Sequence, residues 1–404
     1  MATEVWQGQA TAVKQVNTIT PANVQINDVF GITLTNAAVA ASAITFTATA
    51  ATVANVTAGL LAAANVAKAA LQAPWDEVTA ADATTALTIT VITSGVPFTV
   101  ATTATNGGDA DTQTLTSVVT TACSGLMTNT TCWRSADTPD SADSANFPAG
   151  CSNPVTPMDY SAVLLVDTTF ESGFTGLIGV DNGSDAPGYL KVDSDTINLN
   201  NVSQTFLWFV NTTTVNVNAA KNSPGTGRYG CNLRGDVTTL NIELTNAQSV
   251  GIAALPGETA TFTTINISGA GTVTIGEGVT VTTVNISGTG TVYNHVAATE
   301  VNILSGTPKV YHEKGRITTC NQYAGSLYID AAGTVGAPSI TTLNAYGSVY
   351  VEGSGARYVA TVNRYADLPF EDLNKKLAWT TAQFNNNTTD AQLRLGNHYT
   401  IVRA

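Results

Sequence analysis

The chain carries little charge of either sign. Only 11% of its 404 residues are Asp, Glu, Lys or Arg, and the 29 acidic residues against 16 basic ones give a formal net charge of −13. No run of basic residues occurs, so neither nucleic acid nor an anionic membrane is an expected partner. Low charge together with 44% hydrophobic residues is the opposite of the composition of disordered chains. The composition favours a folded protein with a neutral polar surface.

Long apolar runs are also missing. No stretch of about 18 apolar residues occurs, so a membrane-spanning helix is not predicted. The first residues, MATEVWQGQATAVKQ, lack the basic segment followed by an apolar segment that marks a signal peptide. We therefore expect neither a membrane anchor nor a secretion signal.

Cysteine is scarce and irregularly spaced. The five cysteines include no C-x-x-C pair, so a zinc site or a redox motif is not expected. Cys123, Cys132 and Cys151 fall in one loop-like region. A disulfide among them and free thiols in a reducing compartment are both open alternatives.

Groups that carry catalysis or bind metals are few and scattered. Three histidines without metal-ligand spacing are expected on the surface: His295, His312 and His398. The one local concentration of carboxylates has four members: Asp181, Asp185, Asp193 and Asp195. This cluster is interpreted as a solvated loop, with calcium binding or a catalytic carboxylate pair as alternatives. No catalytic residue, cofactor or metal site is assigned, and the chain is not expected to be an enzyme.

The chain does contain an internal repeat. It reads TTINISGAG at residues 263–271 and TTVNISGTG at 282–290, and a Thr-apolar-Asn pattern recurs around these segments. The repeated asparagines are Asn198, Asn216, Asn241, Asn266, Asn285, Asn302, Asn321, Asn344 and Asn363. Their mean spacing of about 21 residues, with short β-type segments, predicts a solenoid.

The residues on either side of each asparagine indicate which face is buried. Side chains alternate across a strand, so these two neighbours share one face. In the first six repeats both are aliphatic, as at Val284 and Ile286. They are predicted to point inward, which leaves the asparagines outside or in a turn, stacked as a ladder. The predicted fold is a mainly β parallel β-helix with coils about 4.8 Å apart.

Composition divides the chain into four segments. Residues 1–122 read as a small α+β domain of order β-β-α-β-β, whose helix is capped by Thr52 and stopped by Pro74. Residues 123–157 are rich in proline and serine and read as a linker or wrapped loop. The β-helix is assigned to 158–364, since Arg364 occupies an inward position. Residues 365–404 are assigned to a C-terminal cap with a short helix in LPFEDLNKKLAW.

Two groups of residues carry a resemblance. The segments VWQGQATAVKQVNTITPANVQINDVFGITLT, ITFTATAATVANVTAGLLAAANV and SGVPFTVATT, followed by TTVNISGTGTV coils, are similar to tailed-bacteriophage and prophage structural proteins. In that family a small domain precedes a Thr/Gly-rich β-helix. The resemblance implies a virion component assembled in the bacterial cytoplasm, with no catalytic residue to carry over.

Within a virion, the resemblance favours a capsid decoration (cement) protein. Such a protein would bind the major capsid protein on the outer shell, and we expect it to be a homotrimer. A tail fibre or tailspike that binds a receptor or glycan is the alternative, and a surface adhesin or a polysaccharide-degrading enzyme are further ones. Exposed aromatics such as Trp208, Phe209, Tyr346 and Tyr350 are either sugar platforms or stacking residues between coils.

Overall fold

A parallel β-solenoid of about 10 turns, each of about 21 residues, makes up most of the protein and follows a small α+β region. The predicted fold class is confirmed. The computed structural model describes residues 2–8, 14–36, 41–93, 98–107, 112–121, 125–181, 187–222, 229–334, 336–352, 357–366, 368–372, 383–386 and 393–395.

All pairings between the solenoid strands are parallel. The long strands of the first turns each run along more than one side of the coil, and later turns divide into a longer and a shorter strand. In chain order the strands are Thr3–Val5, Ser144–Phe147, Met158–Phe170, Leu190–Leu199, Thr205–Val217, Cys231–Leu244, Ser249–Ile252, Ala260–Gly269, Thr272–Ile275, Val279–Ile286, Thr291–Asn294, Ala297–Ile303, Lys309–His312, Ile317–Gln322, Ser326–Ile329, Ile340–Ala345, Ser348–Val351, Val359–Arg364, Phe370–Asp372, Gln383–Asn386 and Leu393–Leu395.

One turn shows how the sequence builds the coil. Along 279–286 the alternation of buried and outward residues breaks at 282–283, which marks a bend. A turn therefore has three faces, represented by 279–281 (first), 283–286 (second) and 291–294 (third). The buried aliphatic residues of this turn come from all three faces: Val279, Val281, Val284, Ile286 and Val292.

The repeated Ser-Gly after the second face has a steric cause. Gly269 and Gly288 both have φ of +88°, a conformation that side chains with a Cβ rarely adopt. A Cβ on Gly288 would also lie 2.3 Å from the carbonyl oxygen of Gly269 in the preceding turn. Successive turns approach too closely at this corner for any other residue.

The α+β region contains one long helix, Val53–Ala69, and two antiparallel sheets. Thr52 caps the helix as predicted, accepting a hydrogen bond from Asn55 N. One sheet has the strand order Val78–Asp82, Leu87–Val91, Val16–Ala22, Thr114–Thr121, and the other has the order Ala41–Thr47, Val29–Asn36, Phe98–Thr105. A short 3-10 helix, Trp75–Glu77, follows the long helix.

The predicted order β-β-α-β-β is therefore incomplete. It lacks Val16–Ala22 and Thr114–Thr121 and does not separate Val78–Asp82 from Leu87–Val91. The first strand buries a polar residue, Asn17, and the last lies at a sheet edge with most of its side chains outward. Neither therefore shows the apolar alternation on which the prediction relied.

The boundary between the α+β region and the solenoid differs from the sequence-based segments. Thr3–Val5 pairs with Ser144–Phe147, which in turn pairs with Met158–Phe170. Residues from both the expected N-terminal domain (1–122) and the expected linker (123–157) thus form the first turn. A 3-10 helix, Thr130–Cys132, lies in this stretch. The α+β region is inserted within that turn.

An aromatic cluster explains this boundary. Five fully buried rings fill the first turns of the solenoid: Trp6, Trp133, Phe147, Phe170 and Phe174. Trp6 meets Trp133 edge to face at 5.1 Å, and Phe147 stacks on Phe170 at 4.2 Å between ring centroids. The bulky rings close the end of the core, where an open coil would otherwise expose apolar side chains to water.

At the other end, pairing continues past Arg364, where the sequence placed the end of the β-helix. Gln383–Asn386 pairs with Val359–Arg364, and Leu393–Leu395 pairs with Phe370–Asp372. Arg364 is buried as expected, and its guanidinium donates through Nη2 to Leu368 O at 2.6 Å within the coil. Phe370–Asp372, within the expected capping helix, is a strand, and residues 373–380 lie outside the described part.

Candidate functional site

The second face carries the asparagine row. Each side-chain amide donates through Nδ2 to Oδ1 of the asparagine one turn earlier, at 2.7–3.0 Å, from Asn216 through to Asn363. Asn385 extends the row by one more bond, and Asn198 donates to Asp167 at its start. All nine asparagines found in the sequence belong to this asparagine ladder. Each amide from Asn198 to Asn363 thus donates a hydrogen bond and accepts one along the row, which makes the ladder a stabilising element of the solenoid.

The third face carries a stack of tyrosines. Tyr293, Tyr311, Tyr328 and Tyr350 lie in register, with ring centroids 4.5–5.1 Å apart and rings within 17° of parallel. Burial and the neighbouring phenols raise the pKa of Tyr311 above its usual value. We call these four residues the tyrosine stack.

A second group of rings lies at the corner that follows the second face. Tyr346 stacks between Tyr323 and Tyr365, with centroid distances of 5.5 and 4.5 Å. All three side chains are exposed, Tyr323 to 51%. Tyr346 and Tyr350, proposed from the sequence as sugar platforms or stacking residues, thus belong to two separate stacks. Trp208 lies between the cations of Lys191 and Arg234, and Phe209 is buried in the core.

A groove of about 550 Å³ opens at one end of the tyrosine stack. Tyr293, the first ring of the stack, forms one wall, and Tyr229 forms another. Thr272 and Thr274 of the neighbouring turn line it between them. The groove therefore combines two aromatic rings with hydroxyl groups. Sequence reasoning missed it because Tyr229 lies outside a strand, two residues before Cys231–Leu244, and so belongs to no repeat.

Polar groups border the same groove. His295 Nε2 lies 2.5 Å from Glu313 Oε2, and both line it. Ser249 lines it too and is only 6% exposed, and its Oγ has no hydrogen-bond partner within the described part of the chain. A buried hydroxyl without a partner costs free energy, so this group is one that a ligand could satisfy.

A buried polar cluster lies on the same side of earlier turns. Glu258, 5% exposed, accepts hydrogen bonds from the Tyr189 hydroxyl, from Asn232 Nδ2 at 3.0 Å and from Leu255 N at 3.1 Å. Burial and the nearby carboxylate raise the pKa of Tyr189 well above its usual value. The Glu258 carboxylate accepts all of these hydrogen bonds and is the single acid of the cluster. We therefore assign the cluster a role in holding the loop that contains Leu255 and Glu258.

Two of the acidic residues chosen from the sequence, Asp193 and Asp195, lie in different environments. Asp193 is buried and accepts from Asn211 Nδ2 at 3.1 Å, whereas Asp195 is exposed. Asp185 lies outside the described residues. Among the residues that the structure describes, no group of three His, Cys, Asp or Glu side chains is placed to hold a metal ion.

The histidines differ from the expectation of three surface residues. His312 is fully buried in the coil, and burial lowers its pKa to about 4. Asn294 Nδ2 lies 3.3 Å from its Nδ1, which must accept, so Nε2 carries the proton toward Ser339 O at 3.3 Å. His295 is half-buried at the groove, and His398 lies outside the described residues.

The cysteines remain separate from these sites. Cys151, Cys231 and Cys320 are free thiols, and burial raises the pKa of Cys231 and Cys320 to about 12. Cys123 lies outside the described residues, so the disulfide alternative stays open for it. In the described part of the chain no helix has the length and apolarity needed to cross a membrane.

Comparison of the chain with protein-family models, with curated proteins and with solved structures found no match in any of the three.

Proposed function

We propose that the protein is a non-enzymatic structural protein of a tailed-phage virion, of the capsid decoration type. The observation that carries this proposal is that the chain forms two structurally distinct parts. A continuous solenoid forms a rod, and a separate α+β region with its own core is inserted in the first turn. The rod would resist unfolding, while the inserted region would dock on the major capsid protein.

The construction of the rod supports a stabilising role. Each turn is hydrogen-bonded to the next through parallel sheets, and the asparagine ladder adds side-chain bonds along most of its length. One end of the core is closed by the aromatic cluster around Phe147. Local opening of one turn would break the ladders on both sides of it, so opening is costly and proteolysis is disfavoured.

The second face of the solenoid is also suited to self-association. The second face presents Thr and Asn side chains, which cost less to desolvate than charges when identical copies pack together. We propose a homotrimer that binds the capsid surface. Light scattering on the purified protein should give three times 41.6 kDa, and a stable monomer at micromolar concentration would restrict trimer formation to the capsid lattice.

Localisation on the particle tests the assignment. An antibody to the purified protein, detected with gold on phage particles from the encoding strain, should label the whole shell. Replacement of residues 14–121 by a short Gly/Ser linker keeps Thr3–Val5 and Trp6 for the first turn. That variant should retain the melting transition of the rod and lose the shell label. Particles without label would refute a virion role.

A tail protein that recognises a receptor is the second candidate, and the aromatic groove beside Tyr293 favours it. Gold label confined to the tail would select this alternative and exclude decoration.

A further inference from the structure

The groove corresponds to a missing member of the tyrosine stack. Going back from Tyr293 by one turn, the register position is Thr274, and one turn further it is Gly251. A Cβ on Gly251 would lie 2.6 Å from Cδ2 of Tyr229, so the Tyr229 ring lies directly against the Gly251 backbone. Aromatic side chains are thus present on both sides of the Thr274 position, and only a threonine lies between them.

The size of this space follows from the spacing of the turns. Neighbouring strands lie about 4.8 Å apart, so the Gly251 and Tyr293 positions are separated by roughly 10 Å. A ring packed against an aromatic side chain needs about 3.5–4 Å between the carbon atoms in contact on each side. By this spacing the two walls leave room for about one ring, with Thr274, only 7% exposed, at the floor of the groove.

The polar lining restricts the chemistry of that ring. The described residues around the groove include Glu313 and no lysine or arginine. Among the described lining residues, a phosphate or carboxylate ligand would meet the Glu313 carboxylate and no lysine or arginine, which disfavours nucleotides and anionic sugars. Hydrogen-bonding groups are plentiful: the threonine hydroxyls, the His295–Glu313 pair, and the unpartnered Ser249 Oγ.

We infer that the groove binds a neutral sugar ring of an oligosaccharide. The apolar face of the sugar would pack on Tyr293, and its hydroxyls would hydrogen-bond to Ser249 and the His295–Glu313 pair, as in sites that combine apolar walls with few placed polar groups. Hydrolysis is not expected, because glycoside cleavage needs two carboxylates across the bond and Glu313 is the one carboxylate among the described residues that line the groove. This binding site is independent of whether the protein lies on the shell or the tail.

The missing ring supplies the sharpest test. Thr274→Tyr would complete the stack on Tyr293 and fill the space. The full-length protein and this variant are applied to an array of neutral oligosaccharides built from hexoses, 6-deoxyhexoses and N-acetylhexosamines. Calorimetry on the bound sugars then gives affinities. The wild type should bind at least one class, and Thr274→Tyr should bind it at least tenfold more weakly.

A matched variant separates binding from a general effect on the stack. Tyr350→Ala removes the same side chain from the opposite end of the same stack, away from the groove, and should bind as the wild type does. Tyr293→Leu provides a second disabling change if Thr274→Tyr does not fold, and it should also lose at least tenfold. No bound neutral sugar at millimolar concentration, or equal binding by wild type and both groove variants, would overturn the inference.

Discussion

The second and third faces of the solenoid are built from the same turns, but the row of side chains on the second face is continuous and the row on the third face is interrupted. On the second face the asparagine ladder runs without a break to Asn385, and the inward residues beneath its central part are aliphatic. On the third face the tyrosine stack starts only at Tyr293, and the inward column beneath it contains Asn294 and His312. In the unbroken row, each asparagine side chain hydrogen-bonds to its neighbours. Where the tyrosine row is interrupted, aromatic surface and hydrogen-bonding groups are left available for a ligand.

The largest expected difference between the two faces is in the pH dependence of the free energy of unfolding, and it should come from His312. Its pKa of about 4 lies below the usual 6.5, because burial disfavours the charged ring. Between pH 6.5 and 4 the unfolded chain takes up a proton that the folded chain does not, so stability falls as pH falls. At 1.36 kcal/mol per pKa unit, the loss attributable to His312 between pH 7 and pH 4 is about 3 kcal/mol.

His312→Gln tests this by keeping hydrogen-bonding capacity without a titrating ring. Its free energy of unfolding in urea should fall by about 3 kcal/mol less than that of the wild type between pH 7 and pH 4. His295→Gln, at the groove surface, is the control for changing a histidine. Equal losses in wild type and His312→Gln would show that acid acts through other groups.

The ladder should respond to removal of a central amide. Asn285→Ala deletes the bonds to Asn266 and Asn302, leaving an acceptor and a donor without their partners. We expect a loss of about 2 kcal/mol in urea denaturation, since each half-buried orphaned group costs on the order of 1 kcal/mol. Asn385→Ala, at the exposed end with its bond to Asn363, should lose well under half of that. Similar losses at both positions would argue that the ladder bonds do not reinforce each other.

These two faces also mark where sequence reasoning succeeds. The Thr-apolar-Asn spacing predicted the ladder residues and the inward columns beside them, because an Asn between two aliphatic residues repeats in nearly every turn. The third face is encoded in four-residue strands such as TVYN and KVYH, which are too short for alternation to identify alone.

The groove could not be predicted for a further reason. Tyr229, Thr274 and Tyr293 come from different turns, and only the register of the sheets places them together. The first turn was missed similarly, because Thr3–Val5 and Ser144–Phe147 are separated by the whole α+β region. Trp6 and Trp133 carry no periodic signal, although large apolar rings in polar segments do suggest a local core.

The tyrosine stack should depend on position in the same way as the ladder. Tyr311 has a stacked ring on both sides, whereas Tyr350 has one neighbour in the stack, Tyr328. At about 0.5–1.5 kcal/mol per aromatic pair beyond buried area, Tyr311→Ala should destabilise by about 1.5 kcal/mol more than a surface alanine change, and Tyr350→Ala by about half as much. Urea denaturation of both variants measures the difference. Equal losses would contradict additive stacking.

The smallest expected effect is a gain. Thr274→Tyr adds one stacked pair on Tyr293 and extends the interrupted row, so it should raise stability by about 0.5–1 kcal/mol if the groove has room for the ring. Thr272 lies two residues before Thr274 on the same outward face of the strand, in register with Thr291 rather than a tyrosine. Thr272→Tyr therefore lacks a stacking partner and should not stabilise. A gain for Thr274→Tyr accompanied by loss of sugar binding would show that the third face gives up stacking energy to keep the groove open. A loss of stability would instead show that threonine is there because a ring does not fit.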